Sequence, residues 1–131
     1  MTTYFENDER NYTPMIKATL YNPVSGVSRE VKLVIDTGFQ GGVLIPLRTY
    51  VDLGLNLLEE PKVTARTAVG SSVELRVSRV IIEIDSLNLK LMCSAYTALG
   101  VRRSLLGREV LKKVGLLYKP PDTLRVGIVE H

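Results

Sequence analysis

Hydrophobic and polar positions alternate along much of this chain, and the alternation predicts strands. Over residues 15–21, Ile16, Ala18 and Leu20 lie opposite Lys17, Thr19 and Tyr21, the two-residue period of a half-buried strand. Asn22-Pro23-Val24-Ser25-Gly26 reads as a turn, and 27–35 as the returning strand. A glycine-rich interval then leads to a short apolar strand over 43–45. Pro46 suits the first turn of a helix over 47–53, stopped by Gly54, with Tyr50 and Leu53 facing the core. Residues 62–68 and 73–84 predict a long hairpin with its tip near Gly70. Residues 87–95 alternate less cleanly, as a strand buried on one or both faces does. A helix over 108–114, a turn at Pro120-Pro121-Asp122 and a last strand over 124–129 complete the series. The pattern predicts a mostly β, single-domain closed barrel with one or two short helices. Residues 1–13 show no periodicity and predict a mobile N-terminal arm ahead of a domain over 14–131.

Composition narrows the function classes. A chain of 131 residues has room for one real core. No stretch approaches the ~20 apolar residues that span a bilayer, so no membrane partner is expected. The polar start, with both signs of charge, is unlike a secretory signal, and a cytoplasmic location follows as the expectation. The single cysteine, Cys93, allows no internal disulfide and sits in an apolar run, where it reads as a small buried side chain. The single histidine, His131, is the last residue, which removes Ser-His and Cys-His hydrolytic schemes and any His cluster for a metal. No metal and no cofactor are expected. The net charge of +3 is scattered: Arg102-Arg103 and Lys112-Lys113 are the basic pairs, without interleaved aromatics, so nucleic acid is not an expected partner.

The candidate chemistry lies in the interval after the second strand. Val31-Lys32-Leu33-Val34-Ile35 runs into Asp36-Thr37-Gly38, and Phe39-Gln40-Gly41-Gly42 leads into Val43-Leu44-Ile45-Pro46. A carboxylate at the end of an apolar strand is costly to bury unless its neighbours hydrogen-bond it. Thr37 supplies a hydroxyl, and Gly38 lets the chain turn tightly beside the carboxylate. A bare Asp-Thr-Gly also serves as an ordinary Asx-type turn. The second element that raises its significance is Ser104-Leu105-Leu106-Gly107-Arg108-Glu109-Val110-Leu111, about seventy residues downstream.

Together these segments resemble the retropepsin-like (clan AA) aspartic proteases, in particular the small single-domain bacterial and archaeal type. Phe39, Gln40, Gly41 and Pro46 fit that version of the active-site loop. Leu105, Leu106 and Gly107 match the family's hydrophobic-hydrophobic-Gly run, which passes behind the loop and supports it. Thr67-Ala68-Val69-Gly70-Ser71-Ser72-Val73 stands where the family has its flap hairpin. The resemblance covers most of the chain and implies an aspartic-type endopeptidase. Asp36 would be the catalytic carboxylate, with Thr37 and Gly38 supporting its loop. Val69, Gly70 and Ser71 would bind substrate from the flap.

Peptide hydrolysis by this chemistry needs two carboxylates that share one proton. The chain holds one Asp-Thr-Gly, so the resemblance implies a homodimer with one Asp36 from each subunit and a peptide or protein substrate. The flap has fewer glycines than retroviral relatives, and the polar arm is a poor match for interleaved terminal strands. Phe39 replaces the Ser or Thr that pepsin-like enzymes carry after Asp-Thr-Gly, so its ring is expected beside the carboxylate. The alternative reading is a non-catalytic protein- or peptide-binding domain that retains the fold.

Overall fold

The computed structural model describes residues 2–3, 6–7, 12–59, 63–66, 72–119 and 123–127, with side chains over 14–59 and 75–114. The strands in chain order are β1 (Thr2–Thr3), β2 (Glu6–Asn7), β3 (Tyr12–Thr13), β4 (Met15–Tyr21), β5 (Ser28–Ile35) and β6 (Val43–Leu44). They continue as β7 (Val63–Arg66), β8 (Ser72–Ile84), β9 (Leu89–Thr97), β10 (Leu105–Leu106), β11 (Gly115–Lys119) and β12 (Thr123–Gly127). Two short α-helices, α1 (Leu47–Asp52) and α2 (Arg108–Leu111), are found among the described residues, with 3-10 turns at Leu55–Leu58 and Asp85–Leu87.

The main sheet runs β4-β5-β10-β6-β9-β8-β7, and β4 also pairs with β8. That extra pairing, Thr19 to Glu83 through Tyr21 to Ile81, closes six strands into a barrel, as the sequence pattern predicts. Closure leaves no free edge among these six strands. The inward positions of β4 are the predicted ones: Ile16, Ala18 and Leu20 are buried, together with Leu33, Val80, Ile82, Ile84, Cys93 and Leu106. Tyr50 and Leu53 of the α1 segment seal one side of this core.

Strand β10 lies between β5 and β6, parallel to the first and antiparallel to the second. The chain that leaves β5 must therefore cross over the end of β10 before entering β6. That crossing is residues 36–42, the segment singled out by the sequence.

Several boundaries differ from the pattern-based expectation. β9 begins two residues late, because Asp85–Leu87 forms a 3-10 turn closed by Asn88 at φ 51°. Asn tolerates this left-handed conformation, so Asp-Ser-Leu-Asn was a legible turn signal. α2 ends at Leu111, three residues early, where the chain begins to turn into β11, a strand that the weak alternation of Gly-Leu-Leu-Tyr-Lys did not reveal. Within the segment expected as an arm, β1 pairs with β12, which pairs with β11, and β2 pairs with β3. β7 and β8 form the expected hairpin, with Val63 opposite Leu75 and Arg66 opposite Ser72. Val69, Gly70 and Ser71 lie outside the described residues.

Candidate active site

Asp36 stands at the end of β5, half-buried, followed by exposed Thr37 and Gly38. Its backbone N–H donates to the Leu106 carbonyl (3.0 Å), which continues the β5–β10 ladder one residue past the strand. Its carboxylate Oδ1 accepts the Gly38 N–H at 2.9 Å, and its carbonyl accepts the Phe39 N–H at 3.2 Å. The aspartate thus closes its own turn, and both a peptide bond and a side chain fix it. A Cβ on Gly38 would stand 3.2 Å from Oδ1, so glycine leaves room for that contact.

The second half of the loop is held by residues far away in sequence. The N–H groups of Gly107, Arg108 and Glu109, successive residues entering α2, donate to the carbonyls of Gly42 (2.8 Å), Phe39 (2.8 Å) and Gly41 (3.3 Å). At a helix start these donors have no intrahelical acceptor, and here the loop supplies acceptors. The approach is close enough to demand glycine at position 107. A Cβ there would meet the Gly41 carbonyl oxygen at 2.2 Å and the Phe39 carbonyl oxygen at 2.7 Å. Its φ of −103° is open to any residue, so the requirement is steric. The structure therefore brings Asp36, Thr37, Gly38, Leu105, Leu106 and Gly107 into one locality.

Other contacts were not legible. The Phe39 ring packs edge-on against Tyr96 with centroids 5.7 Å apart, and a Cβ at Gly107 or Gly41 would strike it. Gly42 lies against Ser94 and Cys93, where a Cβ would come within 2.5 Å of the Ser94 carbonyl oxygen and 2.8 Å of Cys93 Sγ. Burial pushes the Cys93 thiol up to about 12, with nearby Glu109 adding to the effect and Arg79 opposing it. Glu109 itself accepts the Ser94 N–H through Oε1 at 2.8 Å. Gln40, Arg108, Glu109 and Lys112 line a shallow depression beside the loop. Among the described residues, no three His, Cys, Asp or Glu side chains gather to hold a metal ion. No described helix is long and apolar enough to cross a membrane.

No protein-family model matches this sequence, and no curated protein matches it. Solved structures do resemble it. A retropepsin-like aspartic protease from Rickettsia conorii matches with a TM-score of 0.64 at 17% identity, covering 96% of this chain and 91% of that one. The EIAV protease, in complex with the inhibitor HBY-793, matches with a TM-score of 0.57 at 15% identity, covering 82% of this chain and 92% of that one. Together with the six-strand barrel and the β10 strand threaded under the 36–42 loop, these likenesses establish that the chain has a retropepsin-like fold.

Proposed function

We propose that this chain is an aspartic endopeptidase that acts as a homodimer, with one Asp36 from each subunit in a shared dyad. The observation that carries the reading is the placement of Asp36. It sits at a strand end in an Asp-Thr-Gly turn, with the Leu105-Leu106-Gly107 run hydrogen-bonded directly behind it. The turn needs only a side-chain oxygen, which asparagine would also supply, whereas a hydrolase needs the carboxylate.

In the dyad, two carboxylates held ~3 Å apart cannot both ionise, so they share one proton. The ionised carboxylate takes a proton from water as its oxygen attacks the scissile carbonyl carbon. The protonated one gives its proton to the carbonyl oxygen, which yields a tetrahedral diol. In the collapse, the carboxyl that took the water proton gives it to the leaving nitrogen while the other carboxylate takes a proton from a diol hydroxyl. The C–N bond breaks to acid and amine, and the dyad again holds one proton. Thr37, exposed beside Asp36, would brace the pair across the two-fold axis. Val69, Gly70 and Ser71 of the β7–β8 hairpin would cover the bound peptide, which would lie extended and add strand-like hydrogen bonds.

Asp36→Asn tests this directly. Asparagine keeps an oxygen to accept the Gly38 N–H, so the turn and the fold should persist. Cleavage of a fluorogenic peptide library should fall by at least ~100-fold, because the amide cannot take the water proton. Specific activity of the parent should also drop on dilution into the monomeric range, since half a dyad does not catalyse. A parent that binds peptides without cutting them would point to the binding-domain reading. Undiminished activity in Asp36→Asn would place the chemistry elsewhere.

A further inference from the structure

The β6–β9 ladder stops at the Asp36 loop, and one side chain occupies the place of the missing rung. The two strands are parallel, with Val43 opposite Ala95 and Leu44 opposite Tyr96, and the Ile45 N–H donates to the Tyr96 carbonyl at 2.9 Å. In a regular parallel ladder of this register, the rung before Val43 would join the Ser94 N–H to the Gly41 carbonyl. That bond is replaced by two others. The Gly41 carbonyl accepts the backbone N–H of Glu109 (3.3 Å), and the Ser94 N–H donates to Glu109 Oε1 (2.8 Å). Glu109 is inserted between the two groups, donating to one with its main chain and accepting from the other with its carboxylate.

We infer that Glu109 is a positioning residue that splints the Asp36 loop away from β9 and fixes where the loop stands. The inference rests on the reading that Asp36 carries the chemistry. Without the carboxylate, Ser94 would have a half-buried donor to satisfy, and the rung partner in this register is Gly41 itself. Closing that rung would draw Gly41 and Gly42 towards β9, where Gly42 already stands against Cys93 and the Ser94 carbonyl. The strain would pass along the loop to Phe39 and to the Asp36–Gly38 turn. A charged acceptor also suits the role, because a carboxylate makes a shorter and stronger bond to a backbone N–H than a neutral acceptor does. Val110 and Leu111, the two buried residues that follow it directly, anchor the short helix that carries Glu109, so the splint has a fixed base.

The experiment compares Glu109→Ala with Glu109→Gln, which keeps an oxygen acceptor at the same reach. Two readouts are taken: the amide NMR resonances of Gly38, Gly41 and Ser94, and kcat and KM on the best-cleaved peptide of a fluorogenic library. Glu109→Ala should move all three resonances and lower kcat about 10- to 100-fold, with KM changed less than about 3-fold. Glu109→Gln should restore the resonances and bring kcat to within about 3-fold of the parent. If Glu109→Ala does not fold, Glu109→Asp, one methylene too short to reach Ser94, takes its place. Unmoved Gly38 and Gly41 resonances in the Ala or Asp variant overturn the inference, whatever happens to kcat. So does a Gln variant as impaired as the Ala variant. A parent with no peptidase activity would remove the Asp36 reading alone, and the resonance comparison would still decide whether Glu109 positions the loop.

Discussion

Two connections leave β5, one at each end, and they are built on different principles. The turn before it, over residues 22–27, joins neighbouring strands and is held by its own residues. Asn22 Oδ1 accepts the N–H groups of Val24 (2.8 Å) and Ser25 (3.0 Å), its backbone N–H donates to Val27, and Gly26 takes φ 78°. Among the hydrogen bonds of the described residues, that from Asn22 Nδ2 to the Leu53 carbonyl (2.9 Å) reaches outside the turn. The connection after β5, over 36–42, joins strands that are not neighbours and is held mainly by Gly107, Arg108, Glu109, Cys93, Ser94 and Tyr96. A local turn tolerates exposure: Val24 and Val27 remain largely in solvent around it. The Asp36 loop exposes Thr37, Gly38 and Gln40 but buries Gly41 and Gly42, where it meets the other elements. Local side-chain hydrogen bonds suffice to reverse a chain, but aiming a carboxylate at a fixed point takes contacts from several elements.

The largest effect that separates the two is expected at their glycines. Gly107→Val should cost more than ~3 kcal/mol and leave little folded protein, because the new side chain would overlap two loop carbonyls that are themselves hydrogen-bonded. Urea denaturation followed by circular dichroism measures it. A variant as stable as the parent would mean that β10 does not press on the loop. Asn22→Ala comes next, at about 2 kcal/mol, since it removes two acceptor contacts and a buried donor at once. Its cost should fall on stability with the Asp36-loop resonances unmoved. A loss of order in the Asp36 loop would show that the two connections are coupled.

The third test uses pH. The Cys93 thiol is pushed up from 9.0 to about 12 in the folded chain, mainly by burial. A pKa raised on folding gives stability that is complete below the unfolded value and is lost as pH rises towards the folded value. Stability should therefore fall by about 1.4 kcal/mol per unit between pH 9.0 and about 12 from this group. Cys93→Ser should flatten that slope, and denaturation midpoints at pH 8 and 10 on both proteins measure the difference. The same burial predicts that a thiol reagent at pH 8 labels Cys93 only as fast as the protein opens. Fast labelling in the folded state would show that β9 does not lie closed against Gly42. The smallest effect is Gly26→Ala. Nothing stands within 4 Å of its Cβ position, so only the left-handed φ opposes the change, at about 1 kcal/mol. A cost near that of Gly107→Val would show that the turn, too, is set by distant contacts.

By itself the sequence determined what is short-range and periodic. The two-residue alternation of Ile16, Ala18 and Leu20 faces the core because burial of apolar area enforces it. The Asn22–Gly26 turn, the Pro46 entry to α1 and the inward Tyr50 followed from backbone preferences and apolar spacing. The Asp-Thr-Gly turn was readable as well, since Asp36 and Gly38 bond each other. Leu105-Leu106-Gly107 was found only through resemblance, because nothing in those three residues says which carbonyls Gly107 will approach. Tertiary structure alone decided the remainder. Phe39 turned to Tyr96 because two glycines cleared the space for its ring, and their emptiness is visible only once the strands are stacked. Glu109 reads in sequence as an acidic residue in the first turn of a helix, an ordinary partner for the helix dipole. It became a rung between β6 and β9 because the loop leaves the ladder at Gly42, opposite Ser94, fifteen residues before Glu109 and on another strand. Periodicity reports which face of an element is buried, but a register between elements depends on both partners, and it is the register that set this loop in place.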